Sequence, residues 1–222
     1  MRIAAALIAT ALFFPLPAFA LSDGADGPSY FYEPAQQSEA SPTVFTPGRA
    51  ATSPDVVLVP LADAPFTSMI NPGSSVTFDF VGGGEKRAQG WTTTNAAMLV
   101  WDPSWRGDVQ SGVDVLGART WSMVWSNGFQ ALAALDTNHD GQLTGDELGG
   151  LALWRDANCD GISEPDEVMP VEAHGIVGLS THGTAARPGL VTASSGVRFD
   201  NGRSRPLYDW TPGSDIHRAH LF

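Results

Sequence analysis

Two stretches of the chain space oxygen-bearing side chains as a hard divalent cation would need them. The first runs Asp136-Thr137-Asn138-His139-Asp140-Gly141-Gln142-Leu143-Thr144-Gly145-Asp146-Glu147. The second runs Asp156-Ala157-Asn158-Cys159-Asp160-Gly161-Ile162-Ser163-Glu164-Pro165-Asp166-Glu167. Both satisfy the pattern D-x-[DN]-x-[DN]-G-x₅-E at every constrained position. Calcium takes about six to eight oxygen ligands. In the first loop these would be the side chains of Asp136, Asn138 and Asp140, the main-chain carbonyl of Gln142, Thr144 directly or through water, and a bidentate Glu147. In the second they would be Asp156, Asn158, Asp160, the carbonyl of Ile162, Glu164 and Glu167. Glycine at the sixth position permits the sharp turn with positive φ that a side chain resists. The window 136–167 holds nine of the 24 acidic residues, which repel one another unless a cation lies among them. Two bound calcium ions with a structural role are the expectation.

The loops start 20 residues apart, leaving 148–155 between them. Eight residues make a helix of about 12 Å, so one shared helix is expected to leave the first loop and enter the second. That arrangement differs from a pair of separate helix-loop-helix units, and it argues against a wide opening on binding. Asn127 is placed to cap a helix carrying Phe129, Leu132, Ala133 and Leu135 at helical spacing. Val76–Phe80, Ala96–Trp101, Ile176–Leu179, Gly189–Ala193, Val197–Phe199 and Leu207–Trp210 read as short strands, with a hairpin signal at Asn201-Gly202. Trp121–Trp125 is ambiguous between strand and helix. The predicted fold class is therefore α+β, with short strands flanking a short-helix core that carries two EF-hand-type loops.

The run Ala131-Leu132-Ala133-Ala134-Leu135-Asp136, both loops, Leu153-Trp154-Arg155-Asp156 and Gly175-Ile176-Val177-Gly178-Leu179 together resemble a known unit. It is the EF-hand-type calcium-binding segment of secreted RTX-associated bacterial exoproteins of the iron-regulated kind, and of small exported EF-hand proteins. A weaker likeness extends upstream to about residue 76. Members of that family carry F-D-x-D-G-D-G where this chain has Phe78-Asp79-Phe80-Val81-Gly82-Gly83-Gly84. They then carry a third acidic loop ending in E-L-F-G, where this chain has Asp102-Pro103-Ser104-Trp105-Arg106-Gly107 ending Asp114-Val115-Leu116-Gly117. Arg106 stands where an oxygen ligand belongs, and guanidinium offers no acceptor. The sites at Asp79 and Asp102 are expected to be metal-free turns. The glycine-rich nonapeptide repeat of RTX tails is absent, so the resemblance does not imply a β-roll.

The remaining features bound what such a unit could do. Residues 1–20 have the form of a signal peptide: Arg2, an apolar run from Ile3 to Phe14, and Ala18-Phe19-Ala20 before the expected cleavage. Residues 21–72 hold eight of the 16 prolines and read as a largely disordered spacer, in which Val56–Val59 could form a strand that docks on the domain. The globular domain is placed at 73–222. A formal net charge of −12 argues against nucleic acid or anionic lipid as partners, and no later segment is apolar enough to span a bilayer. The single cysteine, Cys159, rules out an intrachain disulfide, and its loop position reads as an exposed spectator. His217 and His220 share a helix-compatible spacing without a third ligand in pattern. The seven tryptophans read as core, with a sugar-binding platform as the competing use. The expectation is a secreted or periplasmic calcium-binding protein of the bacterial envelope, not an enzyme. The alternatives are a calcium-shaped adhesion, partner- or polysaccharide-binding module of the dockerin sort, and a small secreted hydrolase whose catalytic residues are unrecognised.

Overall fold

A computed structural model describes residues 54–164 and 166–214. The leader, residues 21–53 of the spacer, His217 and His220 lie outside the described residues. The elements in chain order are β1 (Val56–Pro60), β2 (Ile70–Asn71), β3 (Thr77–Phe78), β4 (Arg87–Ala88), β5 (Trp91–Thr92), β6 (Ala96–Trp101), α1 (Gly128–Ala133), β7 (Gln142–Leu143), β8 (Leu151–Trp154), β9 (Val168–Pro170), β10 (Ile176–Ser180), β11 (Thr184–Arg187), β12 (Leu190–Phe199) and β13 (Ser204–Trp210). The main sheet runs β7-β10-β12-β13-β1-β6-β8-β9, with β11 added beside β12. Every pairing in it is antiparallel.

This corrects the α+β expectation. Among the described residues the fold is mostly β, with a single α-helix of six residues and no helical core. The helix expected to join the two loops does not form. Gly149 and Gly150 interrupt the segment, and Gly150 takes φ +87°, a conformation that ends a helix. The next four residues extend as β8, because the sheet buries both their faces. Ala152 and Trp154 enter one hydrophobic cluster while Leu151 and Leu153 enter the other. A strand buried on both sides shows no polar alternation, so hydrophobic pattern alone does not separate it from a helix.

The same division runs through the centre of the sheet. Val56 and Leu58 of β1 and Met98 and Val100 of β6 point to the first cluster. Val57 and Val59, with Ala97 and Leu99, point to the second. Strand β1 lies between β13 and β6, paired Leu58 with Tyr208 and Leu58 with Met98. The folded part therefore begins before residue 73, inside the stretch read as spacer. On the second face the sheet curls, so that Leu143 of β7 and Leu151 of β8 meet in one cluster with Phe129 and Leu132 of α1. On the first face the segments 66–93 and 102–109, on either side of β6, form an outer layer through Phe66, Met69, Ile70, Phe78, Phe80, Trp91 and Val109.

Helix α1 starts where the sequence placed it. Asn127 is extended at φ −167°, and its Oδ1 accepts the Gln130 N–H at 3.1 Å. Replacing this cap in Asn127→Ala is expected to cost about 1 kcal/mol in chemical denaturation. The hairpin at Asn201-Gly202 joins β12 to β13, with Gly202 at φ +78°. Trp121, in the ambiguous stretch, belongs to a short 3₁₀ turn and takes φ +58°.

Candidate metal centre

The first loop connects α1 to β7 and continues into a 3₁₀ turn at Gly145–Leu148; the second connects β8 to β9. Neither has two flanking α-helices, yet their interiors share most of their hydrogen bonds. Asp136 Oδ1 and Oδ2 accept from the N–H groups of Asp140 (3.2 Å) and Gly141 (2.9 Å). Asp156 accepts in the same way from Asp160 (3.2 Å) and Gly161 (2.8 Å). Asn138 and Asn158 each accept the N–H two residues on, as do Asp140 and Asp160, from Gln142 and Ile162 at 2.8 Å. Glu147 reaches back to the Thr137 N–H (2.9 Å) and Glu167 to the Ala157 N–H (2.7 Å), closing each loop on itself. His139 and Cys159 take φ +59° and +58°, and Gly141 and Gly161 take +86° and +76°.

The twelve residues expected as ligands are thus gathered into two loops of the same internal design. Among the described residues no three His, Cys, Asp or Glu side chains already converge as a bound ion would draw them. The donor chemistry nonetheless fits a hard cation, since each loop offers oxygen alone. In the second loop Glu164 Oε2 is covered by protein and has no hydrogen-bond partner. The neighbouring Glu167 carboxylate is the main influence raising the Glu164 pKa, with desolvation, Asp160 and Asp156 adding to it. Burial alone would raise Glu167, but the Ala157 N–H, Glu164 and the Trp154 indole outweigh it and hold it low. Glu147 is also held low, first by the Thr144 N–H and then by the Thr137 hydroxyl. The second loop thus crowds carboxylates together, and a cleft of about 410 Å³ opens beside it between Arg155, Asn158, Glu164 and His174.

The two upstream turns keep the backbone and lack the ligands. Asp102 accepts from the N–H groups of Arg106 (3.1 Å) and Gly107 (2.8 Å), as the first residue of each complete loop does, and Trp105 takes φ +51° in the place of His139 and Cys159. Asp79 spends its carboxylate on the N–H groups of Val81, Gly82, Gly83 and Gly84. Against the upward pull of burial, these four donors hold its pKa low.

Some contacts were invisible in the sequence. Cys159 is half-buried rather than an exposed spectator; its Sγ lies 3.7 Å from the Thr92 carbonyl. Burial first, then the Asp156, Glu167 and Asp160 carboxylates, push its thiol pKa up, which opposes nucleophile chemistry. Trp91 Nε1–H donates to Asp156 Oδ2 at 2.6 Å, and Trp154 Nε1–H to Glu167 Oε2 at 3.4 Å. The Thr181 hydroxyl lies 3.4 Å from Asp136 Oδ2. Trp91, Trp154 and Trp210 are fully buried, whereas Trp105 is 51% exposed, so the core reading holds for three of the seven tryptophans outright.

Comparison with known proteins finds a family and a relative. The SPM domain matches residues 63–211. The iron-regulated protein FrpA of Neisseria meningitidis serogroup C is 33% identical over 107 residues, which is 46% of this chain and 10% of that protein. This chain therefore corresponds to a small part of its relative, and the likeness agrees in kind with the iron-regulated resemblance carried by the loops.

Proposed function

The chain belongs to the SPM domain family, and we propose that this member is an exported bacterial protein whose two loops each hold one calcium ion as part of the folded structure. The observation that carries this reading is the matched interior of the loops. In both, the first, third, fifth and twelfth residues are fixed by the same main-chain donors, with the sixth glycine at positive φ. Asp136, Asn138, Asp140, Gln142, Thr144 and Glu147 would hold one ion, and Asp156, Asn158, Asp160, Ile162, Glu164 and Glu167 the other. Calcium supplies positive charge where the chain has concentrated negative charge. The residues themselves set the cradle, because each carboxylate is already oriented by a backbone N–H. Export is supported by the signal-peptide pattern of residues 1–20 and by the relative, and mass measurement of the envelope-extracted protein should show cleavage after Ala20.

An ion that binds the folded state alone stabilises it by mass action, about 2.7 kcal/mol per site at 100 times Kd. Terbium luminescence excited through tryptophan tests this, because Trp154 lies two residues before Asp156 and bonds to Glu167. Excess calcium should displace the signal, and the melting temperature should rise by several degrees over that in chelator. Equal melting in calcium and chelator, with no displaceable terbium, would overturn the proposal. A second reading, a calcium-shaped surface for a polysaccharide or protein partner, is favoured by Trp105, Met123 and Val124, which are 51%, 51% and 58% exposed. Retention on insoluble polysaccharide that is lost in Trp105→Ala would support it.

A further inference from the structure

The two loops share an interior but differ in what they hold. The first bonds outward to the end of β10: the Thr181 hydroxyl meets Asp136, and the Thr181 N–H donates to the Gly141 carbonyl at 3.1 Å. The second bonds outward to the outer layer, residues 66–93 and 102–109, at several separate points. The Trp91 indole donates to Asp156, Cys159 Sγ meets the Thr92 carbonyl, and the Val109 N–H donates to Ser163 Oγ at 2.8 Å. Gly161 faces the same layer so closely that a Cβ there would lie 2.5 Å from Val76 Cγ1. The layer has little regular structure of its own, only two ribbons of two-residue strands, β2 with β5 and β3 with β4. It adheres through an aromatic cluster in which Phe78, Phe80, Trp91 and Trp154 lie 4.9–5.7 Å from their ring neighbours, with several of its polar anchors on the second loop.

We propose that calcium in the second loop fastens the outer layer, residues 66–93 and 102–109, onto the sheet while calcium in the first loop does not, and that Trp91 is the positioning residue joining the loop's first ligand to that layer. This rests on the calcium reading above. Without a cation, Asp156, Asp160, Glu164 and Glu167 repel one another, so the loop opens against its local hydrogen bonds alone and the layer loses its anchors with it. A cation that binds the closed loop only suppresses that opening by the factor 1 + [Ca²⁺]/Kd, about 100-fold at 100 times Kd. Asp156 Oδ2 already accepts the Gly161 N–H, so the Trp91 indole adds a second donor that fixes the carboxylate's orientation.

The test is hydrogen exchange of the mature protein in saturating calcium and in chelator, with calcium uptake measured by calorimetry on the same samples. Asp140→Ala and Asp160→Ala form a matched pair, since both carboxylates are exposed and both bond only within their own loops. Calcium should slow exchange across 66–93 and 102–109 by up to about 100-fold in the unmodified protein and in Asp140→Ala, and leave it unchanged in Asp160→Ala. Asn138→Ala and Asn158→Ala repeat the comparison should either aspartate variant fail to fold. Trp91→Phe keeps an aromatic ring and should keep two-site uptake while losing most of the slowing. Uptake at both loops with layer exchange indifferent to Asp160→Ala overturns the fastening alone. No calcium uptake by the unmodified protein overturns the calcium reading and the fastening together.

Discussion

Raising the pH from 5 to 8 in chelator should lower the stability of the folded domain by on the order of a few kcal/mol, and Asp209→Asn should remove most of that fall. The cause is a buried pair of carboxyls on adjacent strands. Asp55 immediately precedes β1 and Asp209 lies in β13, and they are 8% and 3% exposed. Burial pushes Asp55 up to about 7, against the Ala118 N–H, the Asp209 carboxyl and the Arg119 charge, which pull it down. Burial, then the negative charge of Asp55, push Asp209 well above the ordinary carboxylate range, opposed by the Gly128 N–H at the start of α1. The two carboxyls share a hydrogen bond, so burial keeps a proton between them. Between the unfolded value near 4 and the folded value near 7, the native state binds more protons than the unfolded chain. The pair's contribution is thus fully present at acid pH and is lost as pH climbs through the folded range. Asn at 209 can donate its amide to Asp55 and accept the Gly128 N–H, which lets Asp55 ionise without a buried like charge. Denaturant unfolding at pH 5, 6, 7 and 8 on both proteins reads the difference. Parallel pH slopes would show that the pair does not carry it. Glu164, held high, acts in the same direction and Glu167, held low, in the opposite one, but this substitution touches neither, so the comparison isolates the pair.

How much of this was legible depended on how far apart in sequence the interacting groups lie. The loops could be read because their acidic and amide side chains sit within twelve residues, and a spacing rule captures a cradle built by local backbone bonds. The Asn127 cap and the Asn201-Gly202 hairpin were legible for the same reason. Strand β8 was not, since Leu151-Ala152-Leu153-Trp154 carries no alternation when both its faces are buried; Gly149-Gly150 was the signal against a helix. Strand β1 was recognisable as a strand from its valines, but the prolines around it assigned it to a spacer. Its pairing with β13 joins residues at opposite ends of the described chain. Asp55 with Asp209, and Trp91 with Asp156, are contacts across the fold that no local pattern announces. An aspartate between Tyr208 and Trp210 in an apolar strand was the one available hint.

The largest loss from a single substitution is expected for Trp154→Ala, about 3–5 kcal/mol, against a total stability of about 5–15 kcal/mol for a domain of ordinary size. Trp154 is fully buried in β8, with Met98 of β6 and Val168 of β9 as its strand partners. Its ring lies 5.5 Å from Phe78 and 5.7 Å from Trp91, so it joins the sheet to the outer layer. Removing it leaves a void walled on one side by strand backbone, which cannot close in without breaking ladder bonds, and on the other by rings that already touch. It also deprives Glu167 of the indole donor, so the second loop should weaken with the core. Urea unfolding in saturating calcium measures the first effect, as a lower midpoint. Trp154→Phe separates the two, because it keeps most of the buried ring and gives up the N–H: a smaller fall in midpoint is expected, with a weakened second calcium step. Trp105→Ala is the counterpart on the surface. Trp105 is 51% exposed at a φ of +51° that alanine tolerates little better, so its loss should stay within about 0.5 kcal/mol. If Trp154→Ala cost no more than Trp105→Ala, β8 could not be the strand through which both faces of the sheet are packed.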